Sequence, residues 1–233
     1  MKITLRLVAL LLCLGLLWLW FALRPFAEVF LGVGHERHEW NQKLTLTVET
    51  PQGERSGSAV VRVDADFGQR LSGNEVAYGY QGEATAVEVA SGRWLFALIG
   101  GSEERFYWAA RERFGDKPRA EWLYDIPKQT EPLTLVGKSI PLLVTFDDIN
   151  DPKSVRRVDP AYLAASLGPG VRLKAVTLAV TEEPVTDGKI EAILGWFPKY
   201  ENLQLDGDRY RSAESPFPFA NELNRLDFKR NFK

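Results

Sequence analysis

Lys43-Leu44-Thr45-Leu46-Thr47-Val48-Glu49, followed by Pro51-Gln52-Gly53-Glu54 and then Ser58-Ala59-Val60-Val61-Arg62-Val63, decides the class of fold. Leu44, Leu46 and Val48 fall on one side of an extended chain, with Thr and Lys on the other, which is the two-residue period of a half-buried strand. Pro51 and Gly53 mark a turn, so residues 58–63 are expected to return antiparallel. A second hairpin is expected from residues 82–90, the Ser91-Gly92 turn and residues 93–99. Val87 and Val89 alternate with Glu88, whereas Trp94, Leu95, Phe96, Ala97 and Leu98 are apolar without interruption. An uninterrupted apolar strand belongs in the middle of a sheet covered on both faces.

Working outward, residues 103–114 read as a short helix. Ser102 caps it, Glu103 and Glu104 lie in its first turn, Phe106, Ala110 and Phe114 form its apolar stripe, and Gly115 stops it. Residues 118–132 show no period, although Trp122, Leu123 and Tyr124 need partners. A strand at 142–146 leads into a polar stretch at 147–159, and Asp159-Pro160 opens a helix that Gly168 ends. Residues 172–181 alternate as a strand, and a short helix is expected at 220–226. Residues 40–233 contain no repeat and no Ser/Gly linker, so they read as one α+β domain dominated by antiparallel β-sheet with a few short helices.

Residues 1–24 differ from the rest. Residues 7–23 are uncharged and Leu-rich, and as a helix they rise about 25 Å against the roughly 30 Å core of a bilayer. Lys2, Arg6 and Arg24 flank the run, and Trp18, Trp20 and Phe21 lie near its exit, where aromatic rings favour the interface. Lipidation needs a small residue before the cysteine, but Cys13 follows Leu11-Leu12. Signal peptidase needs small residues one and three positions before the cut, which Trp20-Phe21-Ala22 and Pro25-Phe26-Ala27 do not supply. The residues therefore favour an uncleaved transmembrane helix, followed by a juxtamembrane hinge at 25–39. Lys2 and Arg6 place the N-terminus in the cytoplasm and the domain outside it.

Composition limits the chemistry. Of 233 residues, 45% are hydrophobic and the net charge is -2, which excludes a disordered chain and disfavours nucleic acid as a partner. The only cysteine is Cys13 and the only histidines are His35 and His38. The domain after them can build no Ser-His-Asp triad, Cys-His pair or His-rich metal centre of its own. No cofactor is expected. Gly137-Lys138-Ser139 looks like the end of a phosphate-binding loop, but Pro132 stands where the leading Gly belongs. Lys138 and Ser139, adjacent in an extended chain, point to opposite sides and make a poor nucleophile pair. His35 and His38 lie one helical turn apart, without further ligands and without zinc-protease spacing.

Two candidate sites remain. Asp147, Asp148, Asn150 and Asp151 concentrate oxygen ligands after a strand, as calcium prefers, although Pro152 breaks the spacing of an EF-hand loop. Asp and Asn before Pro also serve as turn and cap residues. The second is a binding surface drawn from Trp196, Phe197, Phe217 and Phe219 with the cations Arg156 and Arg157. Lys153 belongs to the same basic group as the two arginines, and Arg225, Lys229, Arg230 and Lys233 form another.

Thr-Phe-Asp-Asp-Ile-Asn-Asp-Pro-Lys-Ser-Val-Arg-Arg-Val-Asp-Pro (145–160), Leu-Gly-Pro-Gly-Val (167–171) and Glu-Pro-Val-Thr (183–186) resemble an uncharacterised family of membrane-anchored proteobacterial proteins with a β-rich domain. Trp-Asn-Gln-Lys-Leu-Thr (40–45) and Arg-Trp-Leu-Phe-Ala-Leu (93–98) are similar too, so the resemblance covers most of the domain. It implies a bacterial envelope setting, with no activity, ligand or catalytic residue attached. Together with the anchor, it leads to the expectation of a single-pass inner-membrane protein. Residues 7–23 hold it to the membrane, and a periplasmic domain binds an envelope protein. The alternative is a membrane-tethered hydrolase or transferase using carboxylates such as Asp147 or Asp148.

Overall fold

The computed structural model describes residues 2–31, 36–68, 76–100, 105, 108–111, 115, 117 and 119–231. The chain divides into two compact units, residues 1–38 with 65–78, and residues 39–64 with 79–233.

The first unit holds helix α1 (Lys2–Leu31), which continues through Pro25 over residues read as the start of a hinge. Its window Leu10–Ala27 has a mean hydropathy of 1.9 and none of it is buried.

The strands are β1 (Glu36–Thr50), β2 (Gly53–Phe67), β3 (Val76–Glu83), β4 (Thr85–Ala90), β5 (Arg93–Ala97), β6 (Leu133–Thr134), β7 (Leu143–Phe146), β8 (Val155–Val158), β9 (Arg172–Val180) and β10 (Lys229–Arg230). Six make one sheet in the order β10-β3-β2-β1-β9-β6, and four make a second in the order β4-β5-β7-β8. The pairings of β9 with β1 and β6, of β3 with β10, and throughout the second sheet are antiparallel. Besides the helical residues 108–111, the short helices after α1 among the described residues are α2 (Arg119–Asp125), α3 (Leu163–Leu167), α4 (Lys189–Ile193), α5 (Pro218–Glu222) and α6 (Arg225–Phe228). The fold is thus α+β, as the strand patterns imply.

Period-two burial runs through β1, where Trp40, Gln42, Leu44, Leu46, Val48 and Thr50 are buried and their neighbours are not. Leu44 pairs with Leu178 and Leu46 with Val176. Past Thr47 the register shifts, so Val48 meets Leu173 and Lys174 is skipped, a bulge that leaves the lysine exposed. The Thr85 hydroxyl donates to the Leu44 carbonyl at 3.4 Å, linking the two sheets.

The uninterrupted apolar run at 94–98 lies where its pattern demands, with β5 between β4 and β7. Leu95 and Phe96 are both fully buried although they point to opposite faces. On the Phe96 face lies a cluster of Phe146, Trp196, Phe197, Leu205 and Phe228. Phe96 meets Phe146 edge-on at 5.7 Å and Phe228 at 5.9 Å, ring arrangements that aromatic quadrupoles favour. The C-terminal aromatic residues are therefore the lid of this core.

Several expectations need correction. Residues 82–90 are not one strand, because the chain changes sheets at Ala84, between β3 and β4. Gly82 permits the departure, with φ at 141° and Val60 O only 2.9 Å from where a Cβ would stand. Residues 119–128 are helical, since α2 and a 3-10 turn bury Trp122, Leu123 and Ile126. The polar stretch conceals β8, whose Val155 and Val158 are buried while Arg156 and Arg157 are exposed. Asp159 closes a turn by accepting from the Ala161 amide at 2.8 Å, and the helix begins only at Leu163. The helix expected at 220–226 is two, broken at Leu223-Asn224. Of the helix expected at 103–114, residues 108–111 are helical with Ala110 buried. Ser102, Glu103, Glu104, Phe106 and Phe114 lie outside the described residues, as does His35.

Candidate functional site

The loop between β7 and β8 brings the acidic residues together and uses them locally. Asp148 Oδ1 accepts from the Asn150 backbone at 2.9 Å and its side-chain amide at 3.3 Å. Asp151 Oδ1 accepts from the Lys153 amide at 3.0 Å, capping the 3-10 turn Pro152–Ser154. Ser154 Oγ donates to the Asp148 and Asp151 carbonyls, and Asp147 pairs with Arg156 at 2.5 Å. Asp148, Asn150 and Asp151 thus serve as turn and cap groups, the use that Asx chemistry favours, while Asp147 is held in an ion pair. Among the described residues, no three His, Cys, Asp or Glu side chains gather to hold a metal ion.

The aromatic candidates divide. Trp196 and Phe197 are a correction, because both are buried, Phe197 completely. The Trp196 indole donates to the Ile149 carbonyl at 2.9 Å and its ring meets Phe146 at 5.8 Å, so it fastens the acidic loop to the core. Phe217 is exposed and Phe219 half-buried against the core, where α5 packs on β8 and the 3-10 turn. Lys153 Nζ lies 5.3 Å from the Phe217 ring centre and the Arg157 guanidinium 5.2 Å from that of Phe219. Arg156, the preceding residue of β8, alternates to the other side of the strand and pairs with Asp147 instead. Three of the six surface candidates, Phe217, Phe219 and Arg157, therefore meet with Lys153 in one cationic and aromatic surface.

What holds that surface was missed by sequence reasoning. Asp206, buried, accepts from Ser215 Oγ at 2.6 Å, Asn221 Nδ2 at 2.7 Å and the Asp208 amide at 3.0 Å. Burial pushes its carboxyl up, but these hydrogen bonds outweigh it and hold the pKa below the ordinary value. Ser215 Oγ also accepts from the Phe217 amide at 3.2 Å, so the network positions the ring. The legible signal was the Asp206-Gly207-Asp208 turn, but nothing in the sequence pairs it with Ser215 or Asn221.

A second network lies at the end of the chain. Glu83, fully buried, accepts from the amides of Gly188, Lys189 and Ile190 at 2.6, 2.9 and 3.2 Å. Lys229 Nζ lies 3.0 Å from Glu83, 2.6 Å from Glu191, and pairs with Asp187. Burial pushes the ammonium down, but the three carboxylates outweigh it and hold its pKa well above the ordinary lysine value. Glu83 and Lys229 are buried while Asp187 and Glu191 reach the surface, and together the groups tie β3, α4 and β10 to one another.

A further opening lies elsewhere. A groove of about 670 Å³ runs along β4, lined by Ala86, Glu88, Ala90, Trp94 and, opposite, Gln52 and Arg55. It contains a single acidic side chain, Glu88, whose carboxylate accepts from the Gly92 amide at 2.9 Å. Comparison with protein-family models, curated proteins and solved structures yields no match.

Proposed function

We propose that this protein is a single-pass component of the bacterial inner membrane whose β-rich domain faces the periplasm and binds an envelope protein. The observation that carries the reading is α1. Eighteen consecutive residues of mean hydropathy 1.9 lie unburied, with Trp18 71% exposed, and a bilayer is the medium that accepts them. Lys2 and Arg6 before the span favour a cytoplasmic N-terminus. The resemblance to membrane-anchored proteobacterial proteins agrees with that setting.

The binding half of the proposal is supported by the surface of Lys153, Arg157, Phe217 and Phe219. An exposed Phe217 and a half-buried Phe219, each beside a cation, have the composition of interface anchors. The alternative of a carboxylate-based hydrolase or transferase is less supported, because the groove along β4 offers Glu88 alone where two acidic groups are needed.

A C-terminal reporter active only in the periplasm tests the topology, and activity confined to a cytoplasmic reporter would refute it. Photocrosslinking from Phe217 in intact membranes should capture a partner. Phe217→Ser with Phe219→Ser should reduce the yield about tenfold or more, with an unchanged circular dichroism spectrum. An unchanged yield would remove the surface from the proposal.

A further inference from the structure

We propose that the groove formed where residues 201–210 meet residues 224–226 binds a neutral saccharide. The side-chain carboxamides of Asn202, Gln204 and Asn224 hydrogen-bond its hydroxyl or acetamido groups, and the ring of Tyr210 packs on its C–H face. The groove holds about 290 Å³, at the low end of the roughly 300–1,000 Å³ of small-molecule sites. Neither Phe217 nor Phe219 lines it, so the site is separate from the protein-binding surface proposed above.

The first ground is that the main chain beneath the groove is already engaged. The Gln204 amide donates to the Asp208 carbonyl at 2.7 Å, and the Gln204 carbonyl accepts from the Gly207 amide at 3.0 Å. The Asn224 amide donates to the Asp227 carboxylate at 2.8 Å, and the Asn224 carbonyl accepts from the Asp227 amide at 3.1 Å. The Leu203 and Leu226 amides donate to the Tyr200 carbonyl and to Asn224 Oδ1. These four residues offer a peptide strand no open amide to pair with, so a ligand here is met by side chains.

The second ground is what those side chains leave unpaired. Neither end of the Gln204 carboxamide has a hydrogen-bond partner among the described residues, and its Oε1 is closed off from solvent. An unpaired amide oxygen of this kind is costly, and a turn of the broad terminal torsion of Gln brings it to a ligand in the groove. Asn224 Oδ1 accepts from the Leu226 amide at 2.8 Å, which leaves the side-chain N–H groups of Asn224 as donors. Asn202 adds a third carboxamide, exposed at the same groove. A carboxamide donates and accepts side by side, which matches neighbouring hydroxyls or an acetamido group.

Charge and exposed apolar surface narrow the ligand class. The lining residues include one acid, Glu201, and one base, Arg209, a balance that selects neither anions nor cations. Tyr210 is 73% exposed and Leu226 55%, so each segment brings apolar surface to a groove that is otherwise polar. Both are held in place. The Asn221 side chain donates to the Tyr210 carbonyl at 3.2 Å, and Asn224 caps the turn that carries Leu226. An aromatic face is electron-rich and attracts C–H bonds polarised by adjacent oxygens. A sugar ring combines such C–H faces with hydroxyl edges and no charge, which neither a lipid tail nor a peptide strand does.

The test uses the full chain in micelles of a detergent without a sugar head group, with chitotetraose and cellotetraose as probes. Saturation-transfer NMR should show contact with the sugar protons, and titration gives the affinity. Tyr210→Ala and Gln204→Leu should each weaken binding about tenfold, with an unchanged circular dichroism spectrum. Asn202→Ala, at an exposed position, should weaken it about threefold and keeps the test decisive if Gln204→Leu fails to fold. Tighter binding of chitotetraose would show that the acetamido group is read, and equal affinity that the hydroxyls are; either supports the site. Three results would overturn the proposal. They are no transfer to either sugar at millimolar concentration, affinity unchanged in both Tyr210→Ala and Asn202→Ala, or equal binding of an uncharged peptide of alternating Val and Thr that competes with the sugars.

Discussion

At Gly57 a single missing carbon decides the approach of two strands. The Ala86 carbonyl occupies the space of a side chain, and both sides of the contact are backbone, which cannot move aside without disturbing β2 and β4. Gly57→Ala should destabilise the domain by about 1–3 kcal/mol, seen as a lower urea midpoint with unchanged slope. Ala at Gly92, where nothing lies near the added carbon, should cost less even though φ there is 68°. Equal losses would mean that the contact at Gly57 relaxes freely. The same scale explains why Trp196 and Phe197 mislead in the sequence. Aromatic residues beside Pro198 look like exposed loop residues, but the face of β5 marked by Phe96 had to be covered, and only the tertiary fold reveals by what.

Among the elements, the short C-terminal pieces depend on one another. α4 has five residues and Gly188 before it in place of a capping side chain. Its first amides are satisfied instead by Glu83 from β3, a residue more than a hundred positions away. Lys229 of β10 neutralises that carboxylate, so the strand edge, the helix start and the chain end form one ionic joint. Glu83→Gln leaves hydrogen-bonding capacity but removes the charge, and Lys229→Met strands Glu83 as a buried anion. Lys229→Met should therefore be the more damaging of the two, by about 3 kcal/mol or more, measured by chemical denaturation. The pair Glu83→Leu with Lys229→Met should recover part of that loss. A double variant as unstable as the sum of the singles would show that the two groups do not interact.

For the whole molecule, these networks predict a stability plateau with two flanks. The carboxyls of Asp187, Glu191 and Asp206 have pKa values held below their ordinary 3.8, 4.5 and 3.8. Their contribution is present above about pH 4.5 and is lost as pH falls through the depressed values. Asp227, pushed up by burial, acts in the opposite sense and offsets part of this. Lys229, held above 10.5, contributes fully below that value and loses its contribution as pH rises past it. Urea midpoints across pH should thus fall at both ends, and the alkaline fall should be smaller in Lys229→Met. An alkaline limb identical in that variant would assign it to other groups.

The fold class was legible because β1 and β9 alternate and the 94–98 run does not, and such periods reflect which face meets water. The exposed apolar helix was legible for the same reason, since uncharged length alone marks it. β8 was hidden because an edge strand needs only Val155 and Val158 inside, and two arginines between them read as loop. The change of sheet at Ala84 was hidden because strand pattern specifies faces, not partners. For the candidate surface, the sequence supplied Phe217, Phe219 and Arg157 as residue types, but their meeting depends on α5 lying on β8 and on Asp206 holding Ser215. The chain by itself determines periodicity, charge and the chemistry it lacks, because those are local properties of neighbouring residues. The joint at Lys229, the groove along β4 and the burial of Trp196 were decided only by tertiary structure, because each is a contact between segments far apart in sequence whose pairing no local pattern encodes.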